Sequence, residues 1–208
     1  IPYTIVEKNK NVGGTWLENS YPGCGVDTPN HAYSLSFGRR YRWSRYFSMR
    51  DEIQDYLEQC THEFGVQSHI RFQITLTSSR WIESDQCWES ELEGPDGKEQ
   101  LRSGFLVSAI GQLNQPRIPT IPGSGSFKGE AFHTAHWPAN VDLTNQRVSI
   151  IGTGASAMQI VPSIADQVES LTIYQRTPQW VRPIPSYGKS IPSGAQWLLQ
   201  HLPYYVEW

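Results

Sequence analysis

The sequence predicts an α/β protein, and three stretches support that prediction. Residues 147–178, RVSIIGTGASAMQIVPSIADQVESLTIYQRTP, alternate strand, glycine turn, helix and strand over the length of a βαβ unit. Residues 3–6 form a short β-branched strand that ends in Glu7, and residues 69–93 contain strand patterns separated by turn residues. We therefore expect parts of two parallel-strand units, the first of which contains a β-meander insertion.

The composition argues against two broad functional classes. The 208 residues include 17 lysines and arginines against 20 aspartates and glutamates, a balance that does not favour nucleic-acid binding. The arginine-rich stretch GRRYR, residues 38–42, is expected to be a solvated loop. No run of about 18 apolar residues is present, so no membrane span is predicted.

The cysteines indicate the redox compartment of the protein, and the first residue indicates whether the chain is a fragment. Cys24, Cys60 and Cys87 are widely spaced and odd in number, which excludes a fully paired disulfide framework and any CxxC metal site. They favour a reducing compartment, and we expect a cytoplasmic protein. The chain opens on Ile1 and runs directly into an apolar strand, so we expect a fragment whose true N-terminus lies upstream.

The first unit is expected to contain one helix among several strands. A loop rich in glycine, proline and aromatic residues spans residues 12–46. A helix is then predicted to begin with Ser48 as its N-cap and to stop at Gly65. Its apolar residues repeat at helical spacing: Ile53, Tyr56, Leu57, Cys60 and Phe64. The turn at residues 93–99 closes the meander, and the apolar residues 104–111 are predicted to form a further buried strand.

An extended connection separates the two units. Residues 112–145 are rich in proline and glycine and show little periodicity. The second unit begins with a predicted strand at residues 148–151. The chain is expected to end in an amphipathic helix.

The glycine turn of the second unit has the spacing of a dinucleotide-binding motif. Gly152 and Gly154 allow the backbone to turn sharply and approach a pyrophosphate, and Ala157 permits close packing of helix on sheet. The helix N-terminus then faces the phosphates. Arg176, which follows the next strand, favours the 2′-phosphate of NADP over the free ribose hydroxyls of NAD. A purely structural glycine turn is the alternative interpretation.

The first strand offers half of a similar motif. Glu7 stands where a Rossmann-like domain places its ribose-binding acid, but the glycine loop that would precede it lies before Ile1. Taken alone, Glu7 is better explained as an exposed acid after a strand.

Two longer motifs point to a family. Residues 13–27, GGTWLENSYPGCGVD, fit [AG]GxWxxxx[FY]P[GM]xxxD, and residues 127–137, FKGEAFHTAHW, fit FxGxxxHxxxW. With these motifs, and with the segments YQRTPQWVRP and AIGQLNQP, the chain resembles the Baeyer–Villiger monooxygenases, flavoproteins of the flavin-containing monooxygenase group with two Rossmann-like dinucleotide-binding domains. The resemblance implies a partial FAD-binding domain over residues 1–115, a linker containing the second motif over residues 116–145, and a partial NADP-binding domain over residues 146–208.

The resemblance also implies which residues contact the two cofactors. On the FAD side these are Glu7, Gly14, Thr15, Trp16, Asp27, Tyr33, Leu76, Ala109 and Gly111, and on the NADP side Gly152, Thr153, Gly154, Ala155, Ser156, Ala157, Gln159, Arg176 and Thr177. Asp27 is also implied to assist catalysis by pairing with an arginine expected downstream of this chain. Trp16 and Tyr33 have an alternative interpretation as core aromatic residues, and Thr177 as a turn residue.

The two histidines of the second motif raise a different possibility, a metal site. His133 and His136 are three residues apart, but no third ligand lies near them in the sequence, and Pro138 ends any helix that would align them. We therefore expect no metal. The resemblance implies instead that His133 couples cofactor binding to domain movement, and that Trp137 distinguishes ketone oxidation from oxygenation of nitrogen and sulfur atoms.

The implied reaction is Baeyer–Villiger oxidation. NADPH reduces FAD, oxygen adds to give a peroxyflavin, and one oxygen atom is inserted next to a ketone carbonyl to form an ester or lactone. An N- or S-oxygenating flavin monooxygenase and an inactive truncated chain with weak NADP binding remain alternatives. Cys24 is reminiscent of the aryl-ketone branch of the family, whereas Gly25 stands where many members have an arginine. We expect the isolated chain neither to hold flavin tightly nor to turn over.

Overall fold

The structure, a computed structural model, describes residues 1–113 and 115–202, and the chain divides into two compact units. The first unit comprises Ile1–Leu17 and Leu57–Gln115, and the second comprises Glu18–Tyr56 and Pro116–Trp208. The domain boundaries expected from the sequence stay a prediction. Residues 203–208 of the predicted NADP-binding domain lie outside the described part of the chain.

Two helices lie in the N-terminal part of the chain. Helix α1 (Thr15–Glu18) is a single turn, and helix α2 (Arg50–Glu63) runs for 14 residues. Along α2 the buried side chains Ile53, Tyr56 and Cys60 recur at spacings of three and four, so they share one face of the helix. This apolar stripe is the periodicity that predicted the helix.

The two ends of α2 differ in how well the sequence predicted them. The N-cap expected at Ser48 is wrong, because the first helical hydrogen bond runs from the Ile53 N–H to the Met49 oxygen (3.3 Å). Ser48 is buried and bonds to Asn30 instead. The stop at Gly65 is confirmed: its φ of +64° is a left-handed conformation that glycine adopts without strain.

The first unit contains two small sheets. Strands β1 (Ile5–Glu7) and β2 (Ile70–Phe72) pair in parallel. Strands β3 (Thr75–Ile82), β4 (Cys87–Gly94) and β5 (Gly97–Ser103) form an antiparallel sheet in sequence order. The predicted β-meander is therefore confirmed.

Residues 104–111 do not form the buried strand that their apolar sequence predicts. They have no strand partner among the described residues, and Phe105 is 90% exposed. A strand exists through hydrogen bonds to a neighbouring strand, so an apolar run without such a neighbour has no ladder to join. The prediction of a buried strand is wrong for this structure.

The second unit contains the βαβ arrangement that the sequence predicts. Strand β6 (Arg147–Ile151), helix α3 (Ala155–Ile164) and strand β7 (Ser170–Tyr174) follow one another, and the two strands are parallel. Helix α3 buries Ala157, Ile160 and Ile164. Helix α4 (Ser193–His201) agrees with the amphipathic helix expected near the end of the chain.

Two whole-chain expectations concern membranes and disulfides. Within residues 1–113 and 115–202, no helix is both long and apolar enough to cross a membrane. Cys24, Cys60 and Cys87 all lie in this range and are not joined by a disulfide.

Replacing Gly65 with alanine is expected to lower the free energy of unfolding by about 1 kcal/mol, because a Cβ is strained at its left-handed φ. Urea denaturation followed by circular dichroism measures the change. The control Gly104→Ala adds the same methyl group in open space without a left-handed backbone, and we expect a change within about 0.5 kcal/mol. Equal losses in the two variants would contradict the assignment of Gly65 as the helix stop.

Candidate functional site

An open glycine turn lies at the carboxyl end of β6. The Gly152 N–H donates to the Tyr174 oxygen (2.9 Å), and α3 begins at Ala155. Apart from the adjoining residues, no atom of the described chain lies within 4 Å of the position of a Cβ at Gly152 or Gly154. The first N–H groups of any helix lack helical acceptors. The turn therefore leaves space beside the N-terminus of α3 for a phosphate group.

The residues that follow β7 lie at the same edge of the sheet. Ile151 and Tyr174, the last residues of β6 and β7, are register partners. Gln175 Nε2 donates to Thr153 Oγ1 (3.1 Å), which joins the end of β7 to the glycine turn. Arg176 is exposed immediately beyond this link. The structure thus gathers most of the predicted NADP residues at one edge: Gly152, Thr153, Gly154, Ala155, Ser156, Arg176 and Thr177.

The two remaining NADP candidates on α3 have partners within the protein. Ala157 is buried, as expected for close packing of the helix. Gln159 Nε2 donates to the Gly25 oxygen (2.7 Å), and its Oε1 accepts from Tyr21 Oη (3.0 Å). Both partners belong to residues 21–27, the second half of the first motif.

Residues 21–27 form a buried loop that ends in an exposed carboxylate. Tyr21, Cys24 and Val26 are buried, and the Val26 N–H donates to the Ser48 oxygen (3.0 Å). Asp27 follows directly and is exposed. The fixed backbone therefore presents Asp27 at the surface of the second unit.

Two buried groups in this loop hold their protons tightly. Burial raises the pKa of Tyr21 to about 12, although a hydrogen bond with the Ser156 side chain works in the opposite direction. Burial likewise raises the pKa of the Cys24 thiol. At neutral pH Tyr21 is therefore a neutral hydrogen-bond donor and Cys24 is not a reactive thiolate.

Asn30 is a structurally important residue that the sequence analysis missed. It is 2% exposed, and its Nδ2 donates to the Arg45 oxygen (2.8 Å) and to Ser48 Oγ (2.6 Å). Its Oδ1 accepts from the Ser48 N–H (3.1 Å). These bonds anchor the segment that presents Tyr33, which is 45% exposed. In the sequence, an asparagine after Thr-Pro has no feature that separates it from a surface turn.

In the first unit, the candidates for FAD contact are spread over several elements. Glu7 ends β1 and accepts a hydrogen bond from the Asn9 N–H (2.8 Å). Leu76 lies on β3, which contacts β1. Trp16 is buried in α1. The other candidates are Gly14 and Thr15 at the start of α1, and Ala109 and Gly111 in the exposed segment 104–111.

The second motif forms a single 3-10 turn, Thr134–His136. His133 precedes the turn, and its Nδ1 accepts from the Ala135 N–H (3.1 Å). Trp137 follows it and packs edge-on against Phe132, with ring centroids 5.1 Å apart. The motif therefore orients one histidine and one tryptophan on either side of a short turn.

The motif glycine and the metal alternative can each be examined in the structure. A Cβ at Gly129 would lie 2.6 Å from Phe127 Cζ, so the absent side chain leaves room for the phenyl ring. Among the described residues, no three histidine, cysteine or acidic side chains are grouped as a metal site requires.

Comparison with known proteins points to one family. A family model described as FMO-like, flavin-binding monooxygenase-like, matches residues 40–189. The chain is 43% identical over 209 residues to the uncharacterized monooxygenase y4iD of Sinorhizobium fredii, covering 100% of this chain and 31% of that protein. It is 45% identical over 181 residues to a Baeyer-Villiger monooxygenase of Streptomyces coelicolor, covering 87% and 34%.

Two solved structures are similar to the chain throughout. The OTEMO complex with FAD and NADP has a TM-score of 0.85 at 35% identity, covering 94% of this chain and 38% of that one. Cyclohexanone monooxygenase from Rhodococcus sp. Phi1 bound to NADP+ has a TM-score of 0.84 at 33% identity, covering 95% and 37%. The chain thus spans about a third of the length of the relatives it matches.

Replacing Tyr21 with phenylalanine is expected to remove one phenol that ionises near pH 12 from the ultraviolet alkaline titration. The folded pKa lies above the ordinary 10.0, so the stability from the neutral phenol is complete below about pH 10 and is lost as the pH rises towards 12. The control Tyr33→Phe removes the hydroxyl group of a 45% exposed ring and leaves the late transition in place. Persistence of that transition in Tyr21→Phe would contradict the assignment.

Proposed function

Because the chain belongs to the flavin-binding monooxygenase-like family, we propose that the full-length protein is an FAD- and NADPH-dependent Baeyer–Villiger monooxygenase. It inserts one oxygen atom of O2 next to the carbonyl of a ketone, giving an ester or lactone. The observation that supports this most directly is the sheet edge where an open glycine turn, a helix N-terminus and Arg176 meet. The names of the Streptomyces relative and of the similar structures support the same reaction class.

The NADP side of the proposal follows from that sheet edge. The turn at Gly152 and Gly154 leaves room for the pyrophosphate, and the N–H groups at the start of α3 donate to it. The exposed, planar guanidinium of Arg176 would pair with the 2′-phosphate through two parallel N–H donors, each directed at one phosphate oxygen. Thr177 and Thr153 add hydroxyl groups at the same edge.

The FAD side relies on residues that the motifs identify. FAD, when bound, supplies the redox and oxygen-activating chemistry. Glu7 would accept hydrogen bonds from the adenosine ribose at the end of β1, and Asp27 would hold a cationic group through its exposed carboxylate. We propose that His133 couples cofactor binding to domain movement and that Trp137 favours ketone oxidation over oxygenation of nitrogen and sulfur atoms.

The partners and location follow from the same proposal. The substrates are a ketone and O2, and Cys24 in the segment PGCGVDTPNH suggests the aryl-ketone class. Neither nucleic acid nor a metal takes part. Three cysteines without a disulfide are suited to a reducing compartment, and we propose a cytoplasmic location.

The reaction class is tested on full-length protein with NADPH, ¹⁸O2 and a panel of cyclic and aryl ketones. We expect mass spectrometry to show esters or lactones that contain one ¹⁸O atom, with no product when NADPH is omitted. NADPH consumption that yields only sulfoxides, amine oxides or hydrogen peroxide would contradict ketone oxidation and favour the N- or S-oxygenating alternative.

Replacing Arg176 with alanine is expected to raise the KM for NADPH about 10- to 100-fold while the KM for NADH changes little. The reason is that a hydrogen bond to a charged phosphate contributes about 1.5–3 kcal/mol. Steady-state kinetics with both cofactors measures the difference. The control Arg182→Ala removes another exposed arginine from the same segment and leaves both values unchanged. Equal losses with NADPH and NADH would show that Arg176 does not contact the 2′-phosphate.

A further inference from the structure

We propose that Gln159 is a positioning residue that fastens residues 21–27 to α3, so that the loop presenting Asp27 moves with the helix of the NADP site. The catalytic consequence of this inference rests on the proposed function. The link itself is a property of the second unit and can be measured without turnover.

Both ends of the Gln159 carboxamide bond to the same loop. Its Nε2 donates to the Gly25 oxygen (2.7 Å), and its Oε1 accepts from Tyr21 Oη (3.0 Å). The two partners lie 134 and 138 positions away in the sequence. A planar amide that satisfies a donor and an acceptor on one loop fixes both the distance and the orientation of that loop.

Gly23 brings the loop backbone into direct contact with α3 between these two bonds. A Cβ at Gly23 would lie 2.5 Å from the Gln159 main-chain oxygen and would overlap Ser163 Oγ. Ser163 stands one helical turn after Gln159, and its Oγ donates to the Gln159 oxygen (2.7 Å). Positions 21, 23 and 25 therefore all meet the same face of α3.

The hydrogen bonds of Gln159 connect the loop that carries Asp27 to the helix that begins at the candidate NADP site. Asp27 is two residues beyond Gly25, and the Val26 N–H between them is bonded to the Ser48 oxygen (3.0 Å). On the helix side, α3 begins at Ala155, one turn before Gln159. A shift of α3 is therefore transmitted to Asp27 through only a few constrained residues.

The protonation state of Tyr21 keeps the link constant around neutral pH. Burial raises the pKa of its phenol to about 12, so the hydroxyl remains a donor to Gln159. Gln159 itself does not ionise. The two bonds hold the side-chain amide of Gln159 against the loop and use one of its two N–H donors.

The link is tested by hydrogen exchange in full-length protein carrying Gln159→Met, which keeps the side-chain size and removes both hydrogen bonds. We expect exchange of the backbone N–H groups of residues 23–27 to accelerate about 10- to 30-fold, because two hydrogen bonds of about 1 kcal/mol each are lost. Gln159→Glu keeps the acceptor for Tyr21 but puts an oxygen against the Gly25 oxygen, and it is expected to loosen the loop too. The control Gln167→Met removes an exposed amide from the same region, where it bonds Ser163, and leaves the loop unchanged.

The catalytic consequence is measured by kcat and the KM for NADPH, each determined separately. We expect Gln159→Met to lower kcat about 10- to 100-fold through misplacement of Asp27, with the KM for NADPH within about twofold. Tyr21→Phe in the Gln159→Met background should accelerate exchange less than it does in the unmodified protein, because its bond to Gln159 is already lost. Unchanged exchange in both Gln159 variants overturns the link whatever reaction the enzyme catalyses. A raised KM with unchanged kcat overturns the positioning role in favour of NADP contact.

Discussion

The parallel pairing of β6 and β7 is the constraint on which the candidate NADP site depends. The five register pairs run from Arg147 with Ser170 to Ile151 with Tyr174, so both strands end together. That shared end places the glycine turn and Arg176 at one edge of the sheet. A slip of one residue would turn every side chain of the strand to the opposite face, and it would separate the turn from the guanidinium. The apolar face of α3 stabilises the crossover that connects the strands.

A second constraint organises the loop that precedes α2. This segment has little regular structure, so side chains must satisfy the backbone groups that secondary structure would otherwise pair. Asn30 and Ser48 meet this need through a buried cluster of hydrogen bonds. Such a cluster is costly unless it is fully satisfied, and when satisfied it specifies one conformation. The positions of Asp27 and Tyr33 follow from it.

The same part of the unit shows why the motif positions have the residues they do. Gly23 is required by the close approach of the α3 backbone, and Gly129 leaves room for the ring of Phe127. These packing contacts account for both glycines without any contact to a cofactor. A motif position can thus preserve packing, while the chemistry resides in its neighbours, such as Asp27 and His133 in our proposal.

The sequence by itself determined the local elements of this protein. The apolar stripe and Gly65 defined α2 and its end, and the strand, glycine and helix pattern defined β6, α3 and β7, because each of these depends on neighbours within a few residues. The residues at the glycine turn and Arg176 were predictable for the same reason. Tertiary structure decided the rest. Within the described part of the chain, residues 104–111 have no strand partner. Ser48 bonds Asn30 rather than capping α2, and Gln159 bonds a loop more than a hundred residues away. Hydrogen bonds of this kind join groups that no local pattern relates, so only the folded chain reveals which partner each group finds.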